Sequence, residues 1–258
     1  MCIVQIHCNC AAYRQTMSTH SKTWTTFRHK LMLPMTFPPQ KEVFGKSKHL
    51  VNCSFGKPGI NHTMKTIMVL GAKRSGKTTL INGMINYILG VEWGDNFRYM
   101  LIQEETFFTS PQGIDQIDAV CFVTQASLPR LSQTQKYVFD SILSIFGKDI
   151  SENIQILVTF ADGNPPPPVL EALKVAEVPY PKDKNGVSVH FTFNNSVIIA
   201  QCPSSGNATN KGLDDSGEEE NDDNFDAMFW KMGINSMKKF FRALDTMAPR
   251  SLVLTKRF

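Results

Sequence analysis

No uninterrupted apolar run in this 258-residue chain approaches the length needed to cross a bilayer. The opening stretch MCIVQIHCNCAAYRQ lacks the basic head and apolar block of a secretory signal. Residues 1–41 contain no acid and carry Arg14, Lys22, Arg28, Lys30 and Lys41, but they are neither Arg-rich nor clearly amphipathic, as a transit peptide would be. Six cysteines, at positions 2, 8, 10, 53, 121 and 202, show no paired spacing. Cys8 and Cys10 beside His7 fall short of a zinc site, which spaces its cysteines more widely and needs a second pair. Reduced thiols in a cytoplasmic protein are therefore the expectation. In that setting the Asn-x-Ser/Thr matches at Asn52, Asn61, Asn194 and Asn207 carry no meaning. The bases form no stripe with interleaved aromatics, so nucleic acid is not the implied partner.

The net charge of +4 conceals an asymmetry. Eight acids and no base lie between Asp214 and Asp226, which leaves about +12 on the rest of the chain. Such a run reads as a solvated loop, placed here at 203–223. Upstream, residues 1–62 hold Pro34, Pro38, Pro39 and Pro58, many Ser and Thr, and no sustained periodicity. They read as a low-order leader ahead of a domain at 63–250, with 251–258 as a tail.

Within that domain, apolar runs alternate with helical patterns. Lys65–Gly71 is a short apolar run ending in glycine, the mark of a buried parallel strand. A helix is predicted from Lys77 to about Leu89, with Ile81, Ile85, Ile88 and Leu89 facing the core and Gly90 as its stop. Asp118–Thr124 is a second strand. Ser132 and Gln135 then form a capping box for a helix whose stripe is Val138, Phe139, Ile142, Ile145 and Phe146, ended by Gly147. Ile154–Phe160 is a third strand, and Asn164 with the following prolines opens a helix carrying Leu170 and Leu173. Val187–Phe193 alternates as a strand. Phe225, Phe229, Met232, Met237, Phe240 and Leu244 fall at helical spacing, with acids at the start and Lys238, Lys239 and Arg242 toward the end. That spacing reads as core packing, with a partner surface as the other reading. Strands alternating with helices imply an α/β, doubly wound, mostly parallel sheet.

The sequence Gly71-Ala72-Lys73-Arg74-Ser75-Gly76-Lys77-Thr78 satisfies GxxxxGK[ST] at every defined position. Two glycines let the backbone curl so that successive N–H groups face a phosphate, and the helix opening at Lys77 adds free N–H groups and its positive end. Lys77 would bridge β- and γ-phosphate oxygens, and the Thr78 hydroxyl would ligate Mg²⁺. Ala72, Ser75 and Thr79 complete the loop. A preceding strand and a following helix are the context that this motif requires. Lys73 and Arg74 are unusual fillers and read as solvent-facing.

The stretches VLGAKRSGKTTLINGMINYILG, IDQIDAVCFVTQASLPRLSQTQKYVFDSILSIFGKD and ILVTFADG resemble GTPases of the TRAFAC class, most closely the septin-like and immune-associated (GIMAP-type) branch. FNNS and NFDAMFWKMG extend the resemblance over about 64–250. It implies a three-layer P-loop NTPase fold, GTP or GDP with Mg²⁺ as ligands, and self-association through the nucleotide face. Carried over by position, Asp162 would read guanine, Thr159 would brace the loop, and Asn195, in Asn194-Asn195-Ser196, would lie in the last base-contacting loop. Phe160 replaces the usual Lys whose stem covers the base, a task an aromatic ring performs by stacking. The plainer reading of Asp162 is a turn residue before Gly163.

A GTPase also needs a switch threonine and a DxxG element ending its third strand. DxxG occurs only as Asp183–Gly186 and Asp214–Gly217, after the base motif and at the end of no apolar strand. The 40 residues from Thr78 to Asp118 are also too few, since the missing elements need roughly 60 or more. One or two strands and both switches are thus expected to be absent around Glu105–Phe107, with Thr106 and Thr109 as weak substitutes. The strand Thr66–Leu70 then becomes a sheet edge unless Arg98–Gln103 replaces the lost neighbour. Weak or absent hydrolysis follows, and no catalytic residue is assigned. Two other readings remain open: an ATP-binding P-loop NTPase, and a non-catalytic interaction protein or truncated product with a vestigial site.

Overall fold

The computed structural model describes residues 2–8, 52–55, 63–95, 97–100, 116–146, 148–164, 167–178, 188–199 and 220–251, with 181, 182, 184 and 186 between them. Strands β1 (Cys2–Cys8), β2 (Asn52–Phe55) and β3 (Thr63–Gly71) lead to helix α1 (Lys77–Ile88). Next come β4 (Gln116–Ile117), β5 (Ala119–Gln125), α2 (Gln133–Phe146), a 3₁₀ turn at Lys148–Asn153, and β6 (Ile154–Thr159). The chain continues through α3 (Val169–Val175), β7 (His190–Thr192), α4 (Ser196–Ile199), α5 (Glu220–Thr246) and β8 (Arg250–Ser251).

Six strands form one sheet in the order β2-β1-β3-β5-β6-β7, and β4 pairs with β8 in a separate ribbon. From β3 to β7 every pairing is parallel. Residues alternate across this block because successive side chains of a strand point to opposite faces. Ile67, Val69, Ala119, Cys121, Val123 and Leu157 pack with Leu80, Ile81, Met84 and Ile85 of α1 and with Met237, Phe240, Phe241 and Leu244 of α5. Met68, Leu70, Val120, Phe122, Ile156 and Val158 pack with Phe139 of α2 and Val169 and Leu173 of α3. Both faces are covered, so the fold is the three-layer α/β arrangement expected, with a mostly parallel sheet. Burial drives the Cys121 thiol strongly upward, which makes it a core group and not a reactive one.

Several local readings meet the structure directly. The capping box forms reciprocally, with the Ser132 N–H donating to Gln135 Oε1 (2.7 Å) and the Gln135 N–H to Ser132 Oγ (3.2 Å). Others need correction. Helix α5 begins at Glu220, inside the run assigned to the acidic loop, and extends to Thr246 with no base in its last turn. Lys238, Lys239 and Arg242 therefore sit in its body. Residues 97–100 form no strand. Instead, the buried Arg98 guanidinium stacks 4.4 Å from the Trp230 ring centroid and donates to the carbonyls of Trp93, Asp95 and Phe97. The junction at Glu105–Phe107, with Thr106 and Thr109, lies outside the described residues, as do Gly147, 203–219 and 252–258.

The largest departure concerns the neighbour of β3. Part of the segment read as a low-order leader supplies it. Strand β1 runs antiparallel to β3 from Cys2 opposite Val69 to Cys8 opposite Thr63, and β2 adds parallel to β1. Among the described residues, nothing between α1 and β5 joins the main sheet. The two positions left short there are filled from upstream, with reversed polarity next to β3. Because β1 is flanked on both sides, proline at its centre removes a ladder N–H whichever neighbour that group faces. Val4→Pro is expected to cost about 1–3 kcal/mol, the penalty of a buried unpaired group. Amide exchange along 63–69 should accelerate, and unchanged protection there would refute the pairing.

Candidate nucleotide-binding site

Strand β3 ends at Gly71, and the chain turns through residues 72–76 into α1. Gly71 has φ 154°, and a Cβ there would lie 2.3 Å from the Val123 carbonyl oxygen on β5. Only glycine allows the two strand ends to approach this closely. Inside the turn the Ser75 N–H donates to the Ala72 carbonyl (3.2 Å), and the Leu80 N–H to the Gly76 carbonyl (2.9 Å). Gly76 is left-handed (φ 82°) and caps α1 without a side-chain bond, so the first N–H groups of the helix face the loop. The buried Lys77 ammonium donates to the Ala72 carbonyl at 2.6 Å, which holds it over the loop. Lys73 and Arg74 are exposed, while Thr78 and Thr79 are half-buried in the first turn.

The loop is braced from the sheet. The Thr159 hydroxyl, at the end of β6, lies 2.7 Å from the Ser75 carbonyl and 3.1 Å from that of Thr124. Gln125 Nε2 donates to the Arg74 carbonyl (3.0 Å). Gln125 escapes motif reading because its role depends on where β5 ends, although its place one residue past an apolar run was a usable signal. The buried Ser75 and Thr124 hydroxyls have no hydrogen-bond partner among the described residues.

The base-reading segment follows at once. Phe160 (φ 54°) is 56% exposed, and its Cε2 would lie 3.4 Å from a Cβ on Gly76. The Ala161 N–H donates to the Phe193 carbonyl (3.0 Å), which ties this segment to the loop after β7. Asp162 is exposed and accepts from the Asn164 N–H (2.9 Å) and from Asn164 Nδ2 (3.0 Å). The backbone bond first, and the side-chain bond second, hold its carboxyl below the usual carboxylate range. Thr159, Phe160 and the P-loop thus come together.

Asn195 lies elsewhere. Its Oδ1 would be 3.5 Å from a Cβ on Gly83, and its Nδ2 is buried without a partner among the described residues. Gly83 is six residues beyond Lys77, or about 9 Å along the helix axis. The neighbouring Asn194 Oδ1 accepts from the N–H (3.3 Å) and hydroxyl (2.8 Å) of Ser196 and so caps α4.

These residues fit a phosphate chain. The uncapped N–H groups that open α1, the Lys77 ammonium and the Ser75 hydroxyl are donors suited to oxyanions. For Mg²⁺ the chain offers the Thr78 hydroxyl. Among the described residues no group of three or more His, Cys, Asp or Glu could hold a metal ion. Phosphate oxygens and water would complete such a shell.

Gly71→Ala is expected to destabilise by about 1–3 kcal/mol through overpacking against Val123. Gly90→Ala, also at positive φ but with open space around it, isolates the backbone contribution of about 1 kcal/mol. Urea unfolding of both variants checks the difference. A second test concerns Asp162. With its folded pKa depressed, the group stays ionised down through the ordinary carboxylate range, and any stability it adds is lost only as pH falls through that lowered value. Asn164→Ala removes the side-chain bond but keeps the larger backbone one, so it should move the Asp162 titration only part of the way up toward the ordinary carboxylate range, as read from carboxyl carbon shifts.

No family model matches the chain, and neither does any curated protein. Among solved structures it is similar to Toc33 from Arabidopsis thaliana in complex with GDP and Mg²⁺, at 15% identity over 66% of this chain and 84% of that one, with a TM-score of 0.34. Toc33 with Mg²⁺ and GMPPNP gives 14% identity, 66% and 85% coverage and a TM-score of 0.33. A dimerisation-deficient mutant of Toc33 gives 13%, 66% and 84%, and 0.32. The P-loop α/β architecture stands on the sheet order and the strand–loop–helix geometry of this chain itself.

Proposed function

We propose that this chain binds a guanine nucleotide, GTP or GDP with Mg²⁺, through a P-loop G domain and turns it over slowly or not at all. The observation that carries this reading is the loop itself. Gly71 is pressed against Val123, the loop carbonyls are braced by Thr159 and Gln125, and the Lys77 ammonium is held above it. Gly71, Ala72, Ser75, Gly76, Lys77, Thr78 and Thr79 would hold the phosphates, with Thr78 on the metal. Mg²⁺ held there would supply charge neutralisation on the phosphates. Asp162, kept ionised, is suited to accept from the two guanine N–H groups. Asn195 stays in the reading as a residue of the adjoining loop.

The case for weak turnover rests on strand polarity. A DxxG element belongs at the carboxyl end of the strand beside the P-loop strand. Here that neighbour is β1, whose amino end, Cys2, pairs with Val69 two residues short of Gly71. Its carboxyl end lies at the far side of the sheet. The polarity of β1 therefore puts no strand carboxyl end beside the loop on that side of β3. The septin-like or GIMAP-like branch, self-association through the nucleotide face and a cytoplasmic location belong to the same proposal, supported by the motif resemblance and by cysteines without paired spacing in the sequence. No helix of the described residues is long and apolar enough to cross a membrane.

Titration of the purified chain with labelled GDP, GTP and ATP, with and without Mg²⁺, tests the reading. Guanine nucleotides should bind at least tenfold more tightly than ATP. Lys77→Ala should weaken GTP binding by tenfold or more, and phosphate release should stay near the uncatalysed rate. A preference for ATP would sink the guanine assignment, and binding of no nucleotide would leave a vestigial site.

A further inference from the structure

A cleft between three helices lies apart from the phosphate loop. It is lined by Gly83 and Tyr87 from α1, Ile198 from α4, and Phe229, Trp230 and Gly233 from α5. Its two glycines differ in what surrounds them. A Cβ on Gly83 would come within 2.7 Å of Ile198 Cδ1, so close helix packing accounts for that glycine. A Cβ on Gly233 would meet nothing within 4 Å among the described residues. Glycine inside a helix costs about 1 kcal/mol relative to alanine, and Gly233 stands midway along the 27-residue α5. No contact among the described residues offsets that cost. Asn195 also lines the cleft, and its buried Nδ2 has no partner among the described residues. The Trp230 ring is held from behind by the buried Arg98 guanidinium, which is itself bonded to three carbonyls.

Toward the start of α5 the surface changes character. Phe225 and Met228 are 54% and 45% exposed. Asp226 precedes Phe229 and Trp230 by one turn, and Glu220, Asp222 and Asp223 lie before it on the same helix, with no base until Lys231. An apolar cleft with one free amide donor thus adjoins an acidic helix start.

We propose that this cleft seats a bulky apolar side chain from a basic peptide segment of a partner protein. The side chain fills the space over Gly233, against Phe229 and Trp230. The Asn195 amide donates to a backbone carbonyl of the segment, the sparse polar contact that orients a ligand in an apolar pocket. Lysines or arginines flanking the anchor meet Asp226 and the acids that open α5. Charge selects the occupant, because the same acids repel an acidic segment, a nucleic acid or an anionic lipid surface. Nothing in this inference depends on which nucleotide the phosphate loop takes.

The test measures fluorescence anisotropy of labelled synthetic peptides on the full chain. A short lysine-rich peptide with a central phenylalanine should bind, and serine in place of the phenylalanine should weaken it about tenfold. Glutamate in place of the lysines should abolish binding, and added salt should weaken it. Gly233→Leu places a side chain in the cleft and favours the helix, so it should block the lysine peptide while raising the melting temperature. Asp226→Lys should weaken the peptide and leave the melting temperature near that of wild type. Failure of the lysine peptide to bind would overturn the proposal, as would equal binding of the glutamate peptide or undiminished binding by Gly233→Leu. A lowered melting temperature for Gly233→Leu would also overturn it, since the space over Gly233 would then be filled by the chain itself.

Discussion

Strand β3 ends in the phosphate loop, and each backbone group along it must find a partner on one side or the other. An unpaired row at that position would be an exposed apolar edge immediately upstream of the loop. β5 satisfies one side with a parallel ladder, and β1 satisfies the other with an antiparallel ladder from Thr63 to Val69. The rest of the structure depends on this double pairing. It fixes the height at which Gly71 passes Val123, and hence where the loop begins. It also determines which strand end lies beside the loop, so the same pairing that keeps β3 in place sets the amino end of β1 toward it.

The two ends of the sheet are held by different chemistry. At the base, the buried Asp118 carboxylate accepts from the Thr66 N–H (2.7 Å) and pairs with Lys65 (3.0 Å), whose ammonium also reaches the Met247 carbonyl (3.2 Å). Asn153 joins the Asp118 and Ala248 carbonyls, and Arg250 closes the group onto Asn153 and Glu152. This network locks β3, β5 and the end of α5 together. At the top, the Thr159 hydroxyl and the Gln125 amide grip the loop carbonyls of Ser75 and Arg74. Gly71 lies five residues beyond Thr66, or about 16 Å along the strand. The rigid base and the open loop therefore do not compete for the same groups.

Helix α5 shows how tertiary packing overrides a local pattern. Its acids were legible as a solvated run, and its Phe and Met stripe as a buried face. The two belong to one helix because Met237, Phe240, Phe241 and Leu244 pack on α1 and the sheet, which anchors a segment whose charged start lies turns away. Arg98 works similarly, since its ring contacts with Trp230 and Trp93 join segments far apart in sequence. A periodicity argument sees neither, because both depend on partners that sequence distance hides.

The sequence by itself determined the phosphate loop, the helix that follows it, the capping box at Ser132 and the parallel block β3-β5-β6-β7. Each is specified within a short window, by glycine geometry, by a hydroxyl with its reciprocal glutamine, or by runs buried on both faces. The β-branched stretch at Ile3, Val4 and Ile6 was a usable strand signal, but nothing local assigned it a partner or a direction. Only the tertiary structure decided that β1 fills the place beside β3, that it runs antiparallel there, and that Thr159, Phe160 and Gly76 meet at one corner. Those outcomes depend on pairing between residues dozens of positions apart, where backbone hydrogen bonding carries no side-chain code.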